Sequence, residues 1–245
     1  VQMNDENLHL VRCLLDEVFG RENFVAIIPF RKKTGPLGGK FVQSICDYLL
    51  WYAKDKVSAE RKFKKLFEYR IIEGDSIWGY VETPDGQRRR MTREEINNHR
   101  LLPQGSKVFQ SRALSPAGFN PGCAFQVRFE GKLYNPPTRA GGTSWITNYE
   151  GMTRLVIARR VLPTKETLRY VYYHNDYPLT EISNMWEETR GPVDKIFIVQ
   201  TNTKVIERCI LMTTDPGDLV FDPTCGSGTT AYCAEKWGRR WITCD

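Results

Sequence analysis

The residues best suited to bind a ligand lie in one glycine-rich turn near the C-terminal end of the sequence. The run LVFDPTCGSGTTAYCAEKWGRRWITCD, residues 219–245, predicts a strand, a loop, a helix and a second strand, which is the order that opens a βαβ unit. Gly226 and Gly228 permit the backbone conformations of a tight strand-to-helix turn, and they let a ligand approach the main chain. We expect Thr229 and Thr230 to cap the helix, whose first N–H groups then point at the ligand.

Two carboxylates bracket this turn, Asp222 before it and Asp245 at the end of the second strand. A carboxylate about twenty residues after the glycines can accept hydrogen bonds from two ribose hydroxyls, and Asp222 suits an ammonium group. The absence of GxGxxG disfavours NAD, and the absence of a lysine after the glycines excludes a P-loop for ATP. S-adenosylmethionine is therefore favoured, and the alternative is a glycine turn that serves packing alone. The remaining residues that line the turn are Pro223, Thr224, Cys225, Ser227.

Composition allows a protein with one full core or two small ones. The chain has 245 residues, of which 41% are hydrophobic, and a formal net charge of +6. This charge fits a polyanionic partner, although ordinary solubility explains it equally well. The seven cysteines are scattered without a CxxC pair and the three histidines are far apart, which predicts reduced thiols in a cytoplasmic protein and no metal site. Neither a signal peptide nor a membrane-spanning run is present in the sequence.

The first part of the chain predicts a helix followed by two strands. Periodic apolar residues predict a helix over residues 5–20, capped by Asn4 or Asp5. Residues 23–33 and 47–55 are rich in β-branched and aromatic side chains, which is typical of buried strands, and a glycine-rich loop separates them. The residues expected on the buried face of the helix are Leu8, Val11, Leu15, Val18.

The character of the sequence changes over residues 56–189. Periodicity weakens there, charged and aromatic residues interleave, and short β-like pieces alternate with turns. We interpret this stretch as an inserted mixed α/β domain, so that residues 1–55 and 190–245 form the core of an α/β fold. Residues 204–218 then predict an amphipathic helix that ends at the turn of Pro216 and Gly217 and leads into the strand before the glycine turn.

Several segments, in this order, resemble one family of enzymes. The run DPTCGSGTTAYCAEKWGRRWITCD is similar to the DPFxGSGTT…A…GRxxIGID block of amino-directed DNA methyltransferases. More narrowly, it resembles the β class, which has a permuted motif order and includes the modification subunits of type III restriction systems. Residues 4–25 are similar to the helix and strand that follow the catalytic strand in that class. Residues 47–55 resemble its hDyilwYaK strand, and residues 200–210 occupy the place of its motif X.

The resemblance implies a fold, a reaction and further site residues. The fold would be a Rossmann-like S-adenosylmethionine-dependent methyltransferase sheet, incomplete in this chain, with residues 56–189 as an inserted target-recognition region. The reaction would transfer a methyl group to an exocyclic amino group of a flipped DNA base, with adenine N6 favoured over cytosine N4. Double-stranded DNA is the expected partner, and a restriction endonuclease subunit and a second copy of the chain are further candidates. The residues expected to close over the amino-acid end of the cofactor are Thr201, Thr203, Lys204.

The catalytic tetrapeptide of that family, Asp-Pro-Pro-Tyr, does not occur in the sequence. Residues 135–138 read Asn-Pro-Pro-Thr, but Thr138 cannot stack on a flipped base, so we interpret this stretch as a proline-rich turn. We expect the chain to be a fragment, with the tetrapeptide upstream of Val1 and a further strand and helix after Asp245. No residue of this chain is then catalytic, and the chain alone is expected to be inactive.

Two groups of basic residues are candidates for contacts with DNA phosphates. The first ends the strand over residues 23–33, and the second is the densest run of positive charge in the chain. Solvated surface charge is the alternative interpretation. Two other functions stay open: a non-catalytic DNA-binding relative, and a methyltransferase that acts on RNA or on a small molecule. The basic residues of the two groups are Arg31, Lys32, Lys33 and Lys40 in the first and Arg88, Arg89, Arg90 and Arg93 in the second.

Overall fold

The computed structural model describes residues 1–35, 38, 41–138, 142–190 and 200–245, which divide into two compact units. Unit 1 comprises Val1–Glu68 and Thr180–Asp245, and unit 2 comprises Tyr69–Leu179. Both contain helices and strands, so the predicted mixed α/β class is confirmed. No helix among the described residues is both long enough and apolar enough to span a membrane.

The chain forms fourteen strands and six α-helices within the described residues. The strands are β1 (Gln2–Met3), β2 (Phe24–Arg31), β3 (Cys46–Tyr52), β4 (Phe67–Tyr69), β5 (Tyr80–Glu82), β6 (Arg88–Arg90), β7 (Lys107–Ala113), β8 (Val127–Phe129), β9 (Lys132–Tyr134), β10 (Val161–Pro163), β11 (Leu168–Tyr173), β12 (Leu179–Glu181), β13 (Leu219–Asp222) and β14 (Arg240–Thr243). The helices are α1 (Leu8–Phe19), α2 (Lys56–Lys62), α3 (Arg93–Asn97), α4 (Tyr149–Ile157), α5 (Thr203–Thr213) and α6 (Thr229–Lys236).

In unit 1, the predicted helix and two strands of the first 55 residues are all present. Strands β2 and β3 pair antiparallel, and the short strand β1, which was not predicted, extends this sheet on the other side of β3. Helix α1 begins later than expected, because Asn7 occupies the N-cap position and neither Asn4 nor Asp5 caps it. The predicted apolar face is wrong at Val18, which is 66% exposed, whereas Leu15 is buried.

The core of unit 1 lies between this sheet and helix α5. Ile28, Phe30 and Leu49 from the sheet pack with Val205 and Met212 from α5, and Trp186 completes the cluster. The backbone of Trp186 also bonds to β2, donating to the Pro29 carbonyl at 3.0 Å and accepting from the Arg31 N–H at 2.8 Å. These contacts place residues 180–189 in unit 1, so unit 2 is shorter than the predicted insertion over residues 56–189.

A second, parallel pair of strands in unit 1 carries the glycine turn. Strands β13 and β14 pair in parallel, and helix α6 connects them, as the sequence predicts. Helix α5 packs on α6 through Ile210, Cys233 and Ala234, all of which are buried. Several large apolar side chains of the two strands are nevertheless exposed, including Phe221 at 60% and Ile242 at 51%.

Unit 2 is built on a five-stranded antiparallel sheet with the strand order β10-β11-β7-β5-β6. Its main core contains the fully buried Trp145 and Leu168, together with Met152 of helix α4 and Val161 of β10. Strands β8 and β9 form a separate hairpin. Strand β6, which contains the predicted arginine run, is therefore an edge strand of the sheet, and β10 is the opposite edge.

Candidate functional site

The glycine turn of unit 1 is tied by its backbone to the end of strand β14. The Cys225 N–H donates to the Cys244 carbonyl at 2.9 Å, and the Cys244 N–H donates to the Asp222 carbonyl at 3.0 Å. Within the turn, the Gly228 N–H donates to the Cys225 carbonyl at 3.0 Å. The loop after β13 and the residues after β14 thus form one connected structure at the carboxyl ends of two parallel strands, where α/β sheets bind ligands.

Both glycines of the turn adopt left-handed backbone conformations, with φ of 50° at Gly226 and 73° at Gly228. A Cβ added to Gly228 would meet no atom within 4 Å, so open space lies beside this part of the main chain. Gly228 is also the N-cap of α6, and no side chain caps this helix. The predicted capping by Thr229 and Thr230 is therefore wrong: Thr229 is buried, and the Thr230 hydroxyl donates to Asp222 instead.

The two predicted carboxylates both contact this turn, but they differ in exposure and in the number of hydrogen bonds that they accept. Asp222 accepts hydrogen bonds from the Thr224 N–H at 3.1 Å and from the Thr230 hydroxyl, so it holds the turn in shape. Asp245 is exposed and accepts a hydrogen bond from the Gly226 N–H at 3.3 Å. An exposed carboxylate beside a glycine turn is a group that can accept hydrogen bonds from ligand hydroxyls.

The segment before helix α5 contains the second group of predicted cofactor residues. Thr203 lies near α6, because its carbonyl oxygen is 3.8 Å from the Cys233 sulfur. The Thr201 hydroxyl donates to the Gln2 side chain at 3.0 Å. The Lys204 ammonium lies 2.8 Å from Glu188 and lowers the pKa of that carboxyl.

Sequence reasoning missed Asn202, whose side chain caps α5 by accepting from the Lys204 N–H at 2.8 Å. An asparagine directly before a run of helix-forming residues is a recognisable cap, so the sequence contained this signal. The cap fixes where α5 begins, and it thereby positions Thr201 and Thr203 relative to the helix.

The basic residues at the end of β2 have partners within unit 1. Arg31 donates to the carbonyls of Lys33 and Thr34, at 3.1 and 2.5 Å. Lys32 forms an ion pair of 2.8 Å with Asp47, which is buried. The Lys33 side chain is exposed. Of the three, Lys33 is the one whose geometry best suits a phosphate contact. The fourth predicted residue, Lys40, lies outside the described residues.

Arg88 occupies a structural position in unit 2. Its guanidinium forms a 2.6 Å ion pair with Glu82 and donates to the hydroxyl of Tyr173 at 2.9 Å. It also donates to the carbonyls of Val161, at 2.9 Å, and Arg159, at 2.5 Å. Since β6 and β10 are the two edge strands, the sheet curls far enough for this one side chain to connect them. These bonds use four of the five guanidinium N–H groups, which argues against a phosphate contact by Arg88.

The other arginines of the run are more accessible. Arg89 forms a two-pronged pair with Glu95, at 2.6 and 2.7 Å, and with Thr92 it lowers the pKa of Glu95 to about 2. Arg90 and Arg93 are exposed, and the Arg90 guanidinium lies 5.7 Å from the Tyr80 ring centre. The phosphate contacts predicted for this run therefore fit Arg90 and Arg93 better than the first two arginines.

The described part of the chain contains no group of three or more histidine, cysteine or acidic residues that could hold a metal ion. The Asn-Pro-Pro stretch lies in unit 2, where the Asn135 side chain accepts a hydrogen bond from Gln126 at 3.0 Å. The Asn135 carbonyl accepts from the Thr167 hydroxyl at 2.8 Å. Both bonds hold this stretch to its neighbours, but residues 135–138 form neither a turn nor a bend, so the proline-rich turn expected there is not observed.

Comparison with known proteins finds similarity to DNA methyltransferases along the whole chain. A family model described as DNA methylase matches residues 1–245. The type II methyltransferase M.EcaI of Enterobacter cloacae is 27% identical over 253 residues, which cover 100% of this chain and 49% of that protein. The type II methyltransferase M1.MboII of Moraxella bovis is 54% identical over 60 residues, covering 24% of this chain and 23% of that protein. The chain spans about half the length of M.EcaI.

Proposed function

We propose, from the premise that this chain belongs to the DNA methylase family, that its complete protein transfers a methyl group from S-adenosylmethionine to an exocyclic amino group of a DNA base. The observation that carries the proposal is the contact between Asp245 and the left-handed Gly226, at the carboxyl ends of parallel strands. This geometry leaves an exposed carboxylate and open main chain side by side. The relatives named above are type II methyltransferases, which supports a role in restriction–modification.

Each residue of the turn has a role in this proposal. Asp245 accepts the ribose hydroxyls, and the open backbone at Gly228 forms the wall against which the cofactor lies. Asp222 keeps the turn in shape through Thr224 and Thr230, and its remaining lone pairs face a cationic group. Bound S-adenosylmethionine would supply an electrophilic methyl group to the amino nitrogen of the base. The methyl–sulfur bond would break, S-adenosylhomocysteine would leave, and the nitrogen would release one proton. No cysteine nucleophile is required, since transfer to nitrogen needs no covalent enzyme intermediate.

The cofactor residues of the segment before α5 also stay proposals. Thr201 and Thr203 precede and begin α5, which packs on α6, so they lie in the part of unit 1 that contains the turn. The ion pair between Lys204 and Glu188 favours a role for this lysine in fixing the segment. We expect its contact with a cofactor to be weaker than that of Asp245.

We further propose that the catalytic tetrapeptide and the rest of a Rossmann-like sheet belong to polypeptide outside residues 1–245. Asp-Pro-Pro-Tyr does not occur within these residues. Strands β13 and β14 expose large apolar side chains, and an isolated two-stranded sheet has little stability of its own. This proposal accords with the permuted motif order of the β class. It predicts that residues 1–245 alone transfer no methyl group.

Unit 2 is proposed to bind double-stranded DNA and to recognise the target sequence. Its exposed arginines support a phosphate-binding surface, and a small-molecule substrate would not require such a unit. Adenine N6 is proposed as the acceptor over cytosine N4, on family resemblance. A restriction endonuclease partner, a homodimer and a cytoplasmic location stay predictions from the sequence.

The experiment incubates the complete protein with S-adenosylmethionine carrying a labelled methyl group and with mixed-sequence duplex DNA, and then digests the DNA to nucleosides. We expect label in N6-methyladenine, and label in N4-methylcytosine would change only the acceptor. Transfer to RNA but not to DNA would contradict the proposal. Duplex binding without transfer to any nucleic acid would favour the alternative of a non-catalytic DNA-binding relative.

A further inference from the structure

Unit 2 contains an open cleft of about 970 Å³ whose walls carry side chains of both charges. Two of its basic residues are already paired: Arg88 with Glu82, as described above, and Arg160 with Asp176, through bonds of 2.6 and 2.8 Å. The ammonium of Lys107 lies 5.9 Å from the Tyr173 ring centre. The charged residues that line the cleft are Glu82, Arg88, Lys107, Glu130, Arg159, Arg160.

Two non-glycine residues of this cleft have a positive backbone φ: Glu130, with 49°, in the loop between β8 and β9, and Arg159, with 53°. Arg159 is the basic one of the two. It follows the end of helix α4, where its N–H donates to the Val156 carbonyl at 3.0 Å. The next N–H, that of Arg160, donates to the Leu155 carbonyl at 2.8 Å. This pair of bonds is the Schellman motif, and the residue at the position of Arg159 is usually glycine. A side chain there crowds the following carbonyl, so arginine makes the fold less stable than glycine would.

Among the described residues, no hydrogen bond or ion pair of the Arg159 side chain offsets this cost. The interaction that fixes this residue is the hydrogen bond from Arg88 to its backbone carbonyl, which a glycine would accept equally well. The Arg159 side chain is exposed, and within the described residues its guanidinium has no hydrogen bond, ion pair or ring contact. A residue that lowers stability without structural benefit is the pattern of a functional residue, since stability and function trade against each other.

We propose that Arg159 binds a phosphate of the DNA backbone and that this cleft, with Lys107, is a phosphate-binding surface of unit 2. The inference rests on the proposed function, from which it takes the identity of the polyanion. A guanidinium presents a planar set of donors that matches phosphate oxygens, and an exposed, unpaired guanidinium is available for that contact. Glu130 also lines the cleft and is exposed, so its carboxylate opposes the approach of a phosphate.

The experiment replaces Arg159 with glycine in the complete protein and measures thermal stability and DNA binding. The DNA is a short fluorescein-labelled duplex of arbitrary sequence, titrated over a series of salt concentrations. Relief of the left-handed strain should raise the melting temperature by about 2–4 °C. Loss of one phosphate contact should weaken binding about 3–10-fold at low salt and reduce the log–log salt slope by about 0.9. The Arg159→Gly variant is thus expected to be more stable than the wild type and to bind duplex DNA more weakly.

Three further variants separate this contact from general charge effects. Arg159→Lys retains the charge and the strain, so its salt slope and melting temperature should match the wild type. Arg154→Gln removes the same charge from α4 at a side chain that is 77% exposed and paired with Glu150, and it should leave the salt slope unchanged. Glu130→Gln should tighten binding about 2–5-fold at low salt, because it removes the opposing charge from the cleft.

The outcomes distinguish this inference from the function on which it rests. A wild-type protein that binds duplex DNA, with Arg159→Gly binding as tightly, would overturn the cleft assignment and leave the proposed function standing. Equal weakening by Arg154→Gln and Arg159→Gly would also overturn it, because the effect would then be one of net charge. A melting temperature that falls in Arg159→Gly would refute the argument from strain. A wild-type protein without affinity for duplex DNA would overturn both proposals.

Discussion

Replacing Arg88 with methionine tests whether this arginine stabilises unit 2 or contacts DNA. Methionine retains the unbranched stem and removes the charged group that connects the edge strands β6 and β10. The side chains of Arg88 and Glu82 are only 16% and 17% exposed, so Glu82 would lose its cation in a largely buried setting. Burial raises the pKa of Glu82, but the hydrogen bonds from Tyr173 and Arg88 outweigh burial, and the net direction is downward.

The magnitude follows from the bonds that are lost. The bond to the Glu82 carboxylate is worth about 1.5–3 kcal/mol, and each of the three bonds to neutral oxygens about 0.5–1.5 kcal/mol. Water that enters the open cleft would replace some of the lost hydrogen bonds, and Glu82 would keep its bond from Tyr173. We therefore expect a loss of about 3 kcal/mol in the free energy of unfolding, at the lower end of the range for breaking a buried ion pair. The melting temperature should fall by about 6–12 °C.

The assay is urea denaturation of the complete protein, followed by tryptophan fluorescence, with duplex binding measured below the transition. Arg90→Met on the same strand is the control. It should lower the free energy of unfolding by no more than about 1 kcal/mol, since the cation–π contact of Arg90 is exposed. If Arg88→Met changes the free energy of unfolding by less than about 0.5 kcal/mol and also weakens DNA binding, the structural role of Arg88 would be refuted. The phosphate contact predicted from the sequence would then be the better interpretation.

Three other expectations can be checked on the same protein. Gly228→Ala should lower the free energy of unfolding by about 1 kcal/mol in urea denaturation, because the left-handed backbone disfavours a side chain even where space is open. Since Arg89 and then Thr92 lower the pKa of Glu95 from 4.5 to about 2, its stabilising contribution is complete above pH 4.5 and is lost as the pH falls towards 2. Glu95→Gln should therefore remove this part of the acid sensitivity in a pH series of unfolding curves. Burial raises the pKa of Cys233 to about 11, so iodoacetamide at pH 8 should leave it largely unmodified while it alkylates the exposed Cys13, as peptide mapping would show.

The sequence predicted the elements that rest on local patterns. Strand β2 is a run of apolar, β-branched and aromatic residues, helix α5 has apolar residues at helical spacing, and the unit of β13, α6 and β14 is marked by its glycines. The details that failed depend on packing. Val18 has the helical spacing of a buried residue, yet no other part of the described structure covers it, and it is 66% exposed. Thr230 has the type of a capping residue, but its hydroxyl bonds to Asp222, which the tertiary fold places nearby.

The basic residues show where sequence reasoning reaches its limit. Arg88 and Arg90 are indistinguishable in a run of arginines. In the structure, Arg88 is half-buried and forms four hydrogen bonds, whereas Arg90 is exposed. Arg159 could not have been singled out, since its significance lies in a backbone angle and in the absence of partners among the described residues. Charge density alone thus predicts a polyanionic ligand for unit 2, but it does not indicate which side chains are free to bind one.

The most direct test of the cofactor assignment is calorimetric titration of S-adenosylmethionine into the complete protein and its Asp245→Ala variant. Asp245 is exposed and makes one 3.3 Å contact with Gly226, so its removal should leave the fold intact. Glu17→Ala, at an exposed position on α1, is the charge-matched control. If Asp245 accepts the ribose hydroxyls, its variant should bind about 10–100-fold more weakly and the control as the wild type does. Equal affinities of the wild type and the Asp245 variant would contradict the assignment of the glycine turn as the cofactor site.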